Sequence, residues 1–156
     1  MLNDTQLQTI AASIRAETNQ TCVDALAIRN DVAMTEWVNS ASAQDAWNPS
    51  MSGSLLFEAT DVAKFDGLTA GKRDAWRLML DFSPINMARN KARKAVVDAW
   101  GNTDSVAVLK SCVRKATNGE KYLGGTSATE NTVTAWKLNV PGNIGMTEIS
   151  TALNRY

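Results

Sequence analysis

The expected fold is decided by residues 84–101, which read PINMARNKARKAVVDAWG. Apolar side chains in this stretch recur mostly three or four residues apart, the spacing that places them on one face of an α-helix. They are Met87, Ala92, Ala95, Val96, Ala99 and Trp100. Proline is favoured at the first position of a helix, and glycine is common just past its end. The stretch therefore predicts an amphipathic helix that begins at Pro84 and ends before Gly101.

The same periodicity continues on both sides of this stretch and predicts further helices. The first is expected after Asn3, which with Gln6 forms a polar N-cap pair. Other helical segments are expected over residues 21–39, 54–63, 69–83 and 103–118, the last with a possible extension to 123. Residues 40–53 are rich in Ser, Ala and Asn, which predicts a loop with one helical turn around Trp47.

The composition changes at Gly124, after which threonine becomes frequent. Residues 132–138 alternate in the manner of a β-strand, and Pro141 with Gly142 is a turn signal. The expected fold class is therefore mainly α, a small helical bundle with a short extended or β-hairpin arm near the C-terminus. The expected parts are a helical core domain (1–123), a Thr/Gly-rich arm (124–145) and a short C-terminal helix packing on the core (146–156).

The composition excludes several classes of function. The chain has 156 residues, the length of one domain, with 16 basic side chains, 16 acidic side chains and no histidine. Without histidine it cannot build a Ser-His-Asp or Cys-His arrangement, and most zinc and non-haem iron sites are excluded. A net charge of zero disfavours a protein that coats nucleic acid through bulk electrostatics. We expect no enzyme activity, no cofactor and no metal.

The two cysteines, Cys22 and Cys112, lack the spacing of a thiolate metal site. Both fall on apolar stripes, so they are expected to be buried thiols that act as small hydrophobic side chains. No stretch approaches the roughly 20 apolar residues of a membrane span, and the first residues lack the basic start of a signal peptide. The chain is therefore expected to be made in the cytoplasm and to have no membrane partner.

The zero net charge is the sum of two opposite blocks. Residues 1–66 hold three bases and nine acids, a balance of −6, and residues 67–121 hold eleven bases and five acids, a balance of +6. Residues 122–156 hold two of each. The blocks either pair within one monomer or join the acidic side of one subunit to the basic side of the next, a contact that closes into a ring where the rotation permits. Charge alone favours neither interpretation.

The sharpest local charge feature is the basic set Arg89, Lys91, Arg93 and Lys94. These residues are interpreted either as a binding face, for phosphate or a partner, or as an ordinary solvated helix face. Trp136 lies among the polar residues of the Thr-rich segment, which favours a role at an interface. No residue is a candidate for catalysis, cofactor binding or metal ligation.

Three parts of the sequence carry a family resemblance. The first reads LNDTQLQTIAASIRAE at residues 2–17 and continues as ALAIRNDVAMTEWVN at 25–39. The second reads LTAGKRDAW at 68–76. The third reads RKATNGEKYLGGT at 114–126 and runs on to MTEISTALN at 146–154. Together these segments resemble the head–tail connector, or adaptor, proteins of the neck of tailed bacteriophages.

The resemblance implies a non-catalytic structural protein of the virion neck, made in the host cytoplasm. It implies a homo-oligomeric ring, typically of twelve copies, that bridges the portal protein and a downstream neck or tail protein. Packaged DNA would pass through the channel of this ring without sequence-specific binding. The expected partner-binding residues are Trp136, Leu138, Val140 and Pro141 in the arm, with Arg89, Lys91, Arg93 and Lys94.

Two other functions remain open from the sequence. The first is a tail-completion or capsid-associated virion protein, which would bind the tail tube or the capsid shell instead of the portal. The second belongs to a different class, a small helical DNA-binding regulator that uses the four residues of the basic set.

Overall fold

The computed structural model describes all 156 residues, which form nine helices and a four-stranded sheet. The helices are α1 (Asp4–Arg15), α2 (Gln20–Ala27), α3 (Asp31–Asn39), α4 (Gly53–Glu58), α5 (Val62–Asp66), α6 (Ala70–Asp81), α7 (Asn90–Ser111), α8 (Asn118–Leu123) and α9 (Met146–Arg155). The strands are β1 (Ala41–Trp47), β2 (Val113–Thr117), β3 (Gly125–Glu130) and β4 (Val133–Leu138). The expectation of a mainly α bundle with a short arm is wrong, because the helices are accompanied by a mixed four-stranded sheet.

The strands of this sheet lie in the order β2-β1-β4-β3. β1 and β4 run parallel, with Ala46 opposite Trp136. β3 and β4 are joined by Asn131 and Thr132, whose φ angles of 45° and 72° are those that a tight two-residue hairpin needs. The predicted hairpin is therefore present, but β4 is an inner strand of a larger sheet and not part of a separate arm.

β1 and β2 form where the sequence predicts a loop and a helix. Residues 41–47 are mostly Ala, Ser, Gln and Asp, which have low β propensity, so pairing with the distant β2 and β4 makes this segment a strand. In β2, Val113 and Ala116 have helical spacing, yet the segment pairs beside β1. There the hydroxyl of Ser42 donates to the carbonyl of Ala116 at 2.9 Å.

The chain divides by packing into two compact units, and each contains several separate segments. Unit 1 comprises Met1–Gln44, Lys115–Gly125 and Leu138–Tyr156, and unit 2 comprises Asp45–Arg114 and Thr126–Lys137. The expected parts 1–123, 124–145 and 146–156 were drawn along the sequence, and that division stays a prediction.

Unit 1 packs five helices, α1, α2, α3, α8 and α9, around one apolar cluster. α1 begins as predicted, because Asn3 and Gln6 form a reciprocal capping box. The single helix predicted over 21–39 is wrong, since Arg29 has a φ of 50° and divides the segment into α2 and α3. The buried core consists of Leu7, Ile10, Ala11, Ile14, Cys22, Ala25, Met34, Val38, Ile144, Ile149 and Ala152.

Unit 2 is organised by α6 and α7. Trp76 of α6 and Trp100 of α7 pack edge to face with their ring centroids 5.4 Å apart. Gly101 has a φ of 76° and interrupts α7, which confirms the predicted stop at this residue. Gly53 lets α4 approach α6, because a Cβ at this position would overlap the carbonyl oxygen of Leu80. The largest buried side chains of this core are Trp47, Trp76, Leu56, Met87, Leu109 and Val96.

The predicted helix start at Pro84 is wrong, since α7 begins only at Asn90. Ile85 instead pairs with Met51, its N–H donating to the Met51 carbonyl at 2.7 Å and its carbonyl accepting at 2.9 Å. The N–H of Met87 donates to the carbonyl of Asn48 at 3.0 Å. The Ile85 carbonyl is thereby not available to the N–H of Arg89, the bond that a helix beginning at Pro84 would need.

Both cysteines are free and buried, as predicted. Burial raises the pKa of the Cys112 thiol to about 11 and also raises that of Cys22. None of the nine helices combines the length and the apolar character needed to cross a membrane.

Candidate interaction surface

The N-terminal end of α7 carries three exposed cations. Arg89 is the N-cap residue, and Lys91 and Lys94 follow within the next turns. No side chain caps this end, no acidic residue lies in its first turn, and none of the three cations forms an ion pair within the chain. The N-terminus is the positive end of the helix dipole, so Arg89 and Lys91 weaken the helix that carries them.

An open groove of about 740 Å³ lies beside these cations. Its lining is apolar and basic and consists of Met79, Phe82, Pro84, Ile85, Asn86, Arg89, Lys91, Ala92 and Ala95. Phe82 is 69% exposed, and Leu78, one turn earlier on α6, is 56% exposed. We call these lining residues, together with Leu78 and Lys94, the basic groove. Exposed aromatic and aliphatic groups beside arginine and lysine are typical of a surface that another molecule covers.

Arg93 is separated from the other members of the basic set by burial. Only 4% of this residue is exposed, and one guanidinium nitrogen donates at 2.9 Å to each of the carbonyls of Met87 and Ala88. The guanidinium carbon lies 4.9 Å from the ring centre of Trp47, and Nε lies 3.9 Å from the Glu130 carboxylate. Burial lowers the pKa of Arg93, and the charge of Glu130 opposes that shift. Arg93 therefore fixes the 87–88 segment next to the groove and presents no charge to a partner.

The four predicted arm residues do not form one exposed strip. Trp136 is half-buried on the inner strand β4, and it does not line the basic groove. Leu138 and Val140 are also half-buried, and only Pro141 is exposed. The segment around them is tied down, because the N–H of Gly142 donates to the buried Glu120 carboxylate at 2.6 Å.

A second exposed surface lies in unit 1, where α2 turns into α3. Val23, Ile28 and Val32 are 39%, 74% and 57% exposed. Three acids, Asp24, Asp31 and Glu36, lie in the same stretch, and none forms an ion pair. The single base of this stretch, Arg29, lines a cavity together with Asp31 and with Arg15 of α1. We call residues 23–36 with these exposed side chains the acidic corner.

A polar chain crosses the helices of unit 1. The hydroxyl of Tyr122 donates to the Glu17 carboxylate at 2.7 Å and accepts from the indole N–H of Trp37 at 3.2 Å. The Tyr122 bond lowers the pKa of Glu17. Burial and the same bond to Glu17 raise the pKa of Tyr122 well above its ordinary value. The arrangement holds α3 and α8 to the end of α1, and it leaves no unpaired group for chemistry.

Sequence reasoning found the cations of the basic groove but missed its apolar part. Leu78 and Phe82 lie outside the buried stripe of α6. Apolar residues at such positions are the sequence signal that indicates an exposed apolar surface. The exposure of Ile28 and Val32 in the acidic corner follows from the break between α2 and α3, whereas the sequence predicts one helix over residues 21–39.

The two charge blocks of the sequence do not coincide with the two structural units. Unit 1 holds five bases and seven acids, a balance of −2, and unit 2 holds eleven bases and nine acids, a balance of +2. Part of the charge pairs locally, as between Lys64 and Asp104 at 2.7 Å. The local patches described above contain charges that form no ion pair.

No group of three His, Cys, Asp or Glu side chains is placed so that it could share a metal ion. Comparison of the chain with protein-family models, with curated proteins and with solved structures finds no match.

Proposed function

We propose that this chain is a non-catalytic structural subunit of a bacteriophage neck that acts by docking. The observation that carries the proposal is the basic groove, where Arg89 and Lys91, which form no ion pair, line the same surface as the exposed Phe82. Arg89 and Lys91 lie at the positive end of a helix dipole, where a basic side chain typically costs about 0.3–1 kcal/mol. A surface that lowers the stability of its own helix is readily explained when a partner covers it.

The neck location rests on the resemblance of residues 2–17, 25–39, 68–76, 114–126 and 146–154 to head–tail connector proteins. In this proposal the subunit is made in the host cytoplasm and joins a ring, typically of twelve copies, between the portal protein and a downstream neck or tail protein. Packaged DNA passes through the channel. The charged and apolar surfaces supply the contacts, and no catalytic step is involved.

Binding to the portal ring of the phage that encodes the chain tests this proposal. We expect the purified wild-type chain to co-sediment with assembled portal at physiological salt. The double variant Arg89→Glu with Lys91→Glu should bind less, while Lys110→Glu with Lys137→Glu, which reverses two exposed cations elsewhere on unit 2, should bind nearly as the wild type does. A wild-type chain that never binds portal, and that imaging of the virion places outside the neck, would refute the neck role.

Imaging also separates the neck role from its closest alternative, a tail-completion or capsid-associated protein. A label on the chain would then lie on the tail tube or on the capsid shell. In such a protein the assembled subunits would bind a tail or capsid component instead of the portal.

A DNA-binding regulator remains the second candidate because Arg89, Lys91 and Lys94 are exposed and unpaired. This function requires salt-sensitive binding to duplex DNA that is lost when the three cations are changed to alanine. Three phosphate contacts would give a slope of log K against log salt of about −3. Arg93 would contribute nothing to it, since its guanidinium is buried.

A further inference from the structure

We infer that the basic groove of one copy receives the acidic corner of a second copy of this chain. The inference rests on the self-association in the proposed function, and it names the two surfaces that meet. Each carries what the other lacks, and both are exposed in the single chain.

The acidic corner offers an apolar tip surrounded by negative charge. Ile28 is its most exposed apolar side chain. Val32 lies on α3 one helical turn before Glu36, on the same side of the helix. Residues 23–36 hold three acids and one base, a local balance of −2. A surface of this kind, whose carboxylates form no ion pair, is complementary to a concave surface that is apolar and basic.

The basic groove has that concave shape and that chemistry. Phe82 exposes apolar area in the same lining as Arg89 and Lys91, and Leu78 is exposed one turn earlier on α6. Among residues 78–95 three exposed bases face one exposed acid, Asp81, a local balance of +2, because the charge of Arg93 is buried next to Glu130. The two surfaces are therefore opposite in net charge.

The contact joins two different surfaces, so after a single contact has formed one copy still has a free corner and the other still has a free groove. Such a heterologous contact propagates, and it closes into a ring or continues as an open filament depending on the rotation between copies. Opposite charges also fix the register and exclude like-charged pairings of corner with corner or groove with groove.

Charge reversal on each surface tests the inference. Asp24→Lys with Glu36→Lys reverses the corner, and Arg89→Glu with Lys91→Glu reverses the groove. We expect sedimentation-velocity experiments to show assemblies for the wild type and monomers for each double variant, with self-association weakened by roughly tenfold or more. The control variant Lys110→Glu with Lys137→Glu should assemble like the wild type.

The decisive sample is an equimolar mixture of the two double variants. In this mixture the basic corner of one variant can bind the acidic groove of the other, and the native acidic corner of the second can bind the native basic groove of the first. Assemblies should therefore return and contain both chains in equal number. The chain that carries all four substitutions should also assemble by itself. Thermal unfolding of each variant shows whether it folds, and acidic residues at the start of α7 should not weaken that helix.

The inference is overturned if the wild type is monomeric at all concentrations, if a folded double variant assembles like the wild type, or if the mixture stays monomeric. Portal binding is measured separately on the same proteins. Assemblies that follow the charges but never bind portal would remove the neck role and leave this contact standing. Portal binding by a chain that does not self-associate would overturn this contact and leave the neck role standing.

Discussion

Arg93 shows how burial changes the meaning of a charged residue within one helix. The sequence places it among four cations, but its guanidinium donates to two carbonyls and lies over the ring of Trp47. Successive residues of an α-helix are rotated by about 100° about its axis, so position 93 is buried while positions 91 and 94 are exposed. For this reason, basic residues that are close in sequence do not form one basic surface. Its structural role can be tested by truncation.

Arg93→Ala should destabilise the protein by about 3 kcal/mol, because it leaves the carbonyls of Met87 and Ala88 without their donor and removes the partner of Glu130. Urea unfolding followed by tryptophan fluorescence measures the change. Lys94→Ala, one residue away and exposed, should alter stability by less than about 0.5 kcal/mol. Equal effects of the two substitutions would contradict the assigned role of Arg93.

At the scale of elements, α7 combines an unfavourable and a favourable arrangement of charge. Its N-terminal end carries Arg89 and Lys91 without any acidic residue, whereas its last turn carries Lys110 near the negative end of the dipole. The same residue type therefore has opposite effects on stability at the two ends.

Lys91→Glu should stabilise the protein by about 0.3–1 kcal/mol, because it replaces a cation by an anion at the positive end of the helix. Lys110→Glu should destabilise it by a similar amount for the opposite reason. Both effects should shrink as the salt concentration rises. A stability loss for Lys91→Glu in low-salt unfolding experiments would count against the dipole argument.

The polar chain of unit 1 predicts a loss of stability at both ends of the pH range. The pKa of Glu17 is lower in the folded chain than its ordinary 4.5, so this contribution is present above that pH and is lost as the pH falls through the folded value. The pKa of Tyr122 is higher in the folded chain than its ordinary 10.0, so the unfolded chain gives up its proton first and stability falls as the pH rises above 10.0.

Tyr122→Phe should flatten both limbs of this pH profile relative to the wild type. Urea midpoints measured from acid to alkaline pH provide the comparison, and Tyr156→Phe, at the exposed C-terminal residue, is the matched control. A Tyr122→Phe profile that runs parallel to that of the wild type would show that the bond between Tyr122 and Glu17 does not contribute in this way.

Helices were predictable from the sequence where their signals are local, and strands were missed where their cause is distant. The capping box at Asn3 and the break at Gly101 depend on neighbouring residues, and both were confirmed. β1 depends on pairing with β4, which no property of residues 41–47 announces. In the candidate site, the cations were predictable from the residue type, whereas the burial of Arg93 depends on Trp47 and Glu130, which are distant in sequence.

At the scale of the whole molecule, the order of segments along the chain differs from their order in space. The chain passes between the two units four times, after Gln44, Arg114, Gly125 and Lys137. Each unit therefore closes its core with residues from separate parts of the sequence. Contacts of this kind form late in folding, because loops must close before they contribute.

A fragment of residues 1–123 should consequently lack a cooperative unfolding transition. It loses Val133 and Ala135 from the core of unit 2, and Ile144, Ile149 and Ala152 from the core of unit 1. Far-UV circular dichroism in urea compares it with the full chain and with residues 1–154, which lack only two exposed terminal residues and should unfold like the full chain. A sigmoidal transition for residues 1–123 would show that they form an independent helical core, as their sequence pattern predicts, and that the long-range contacts do not hold either unit together.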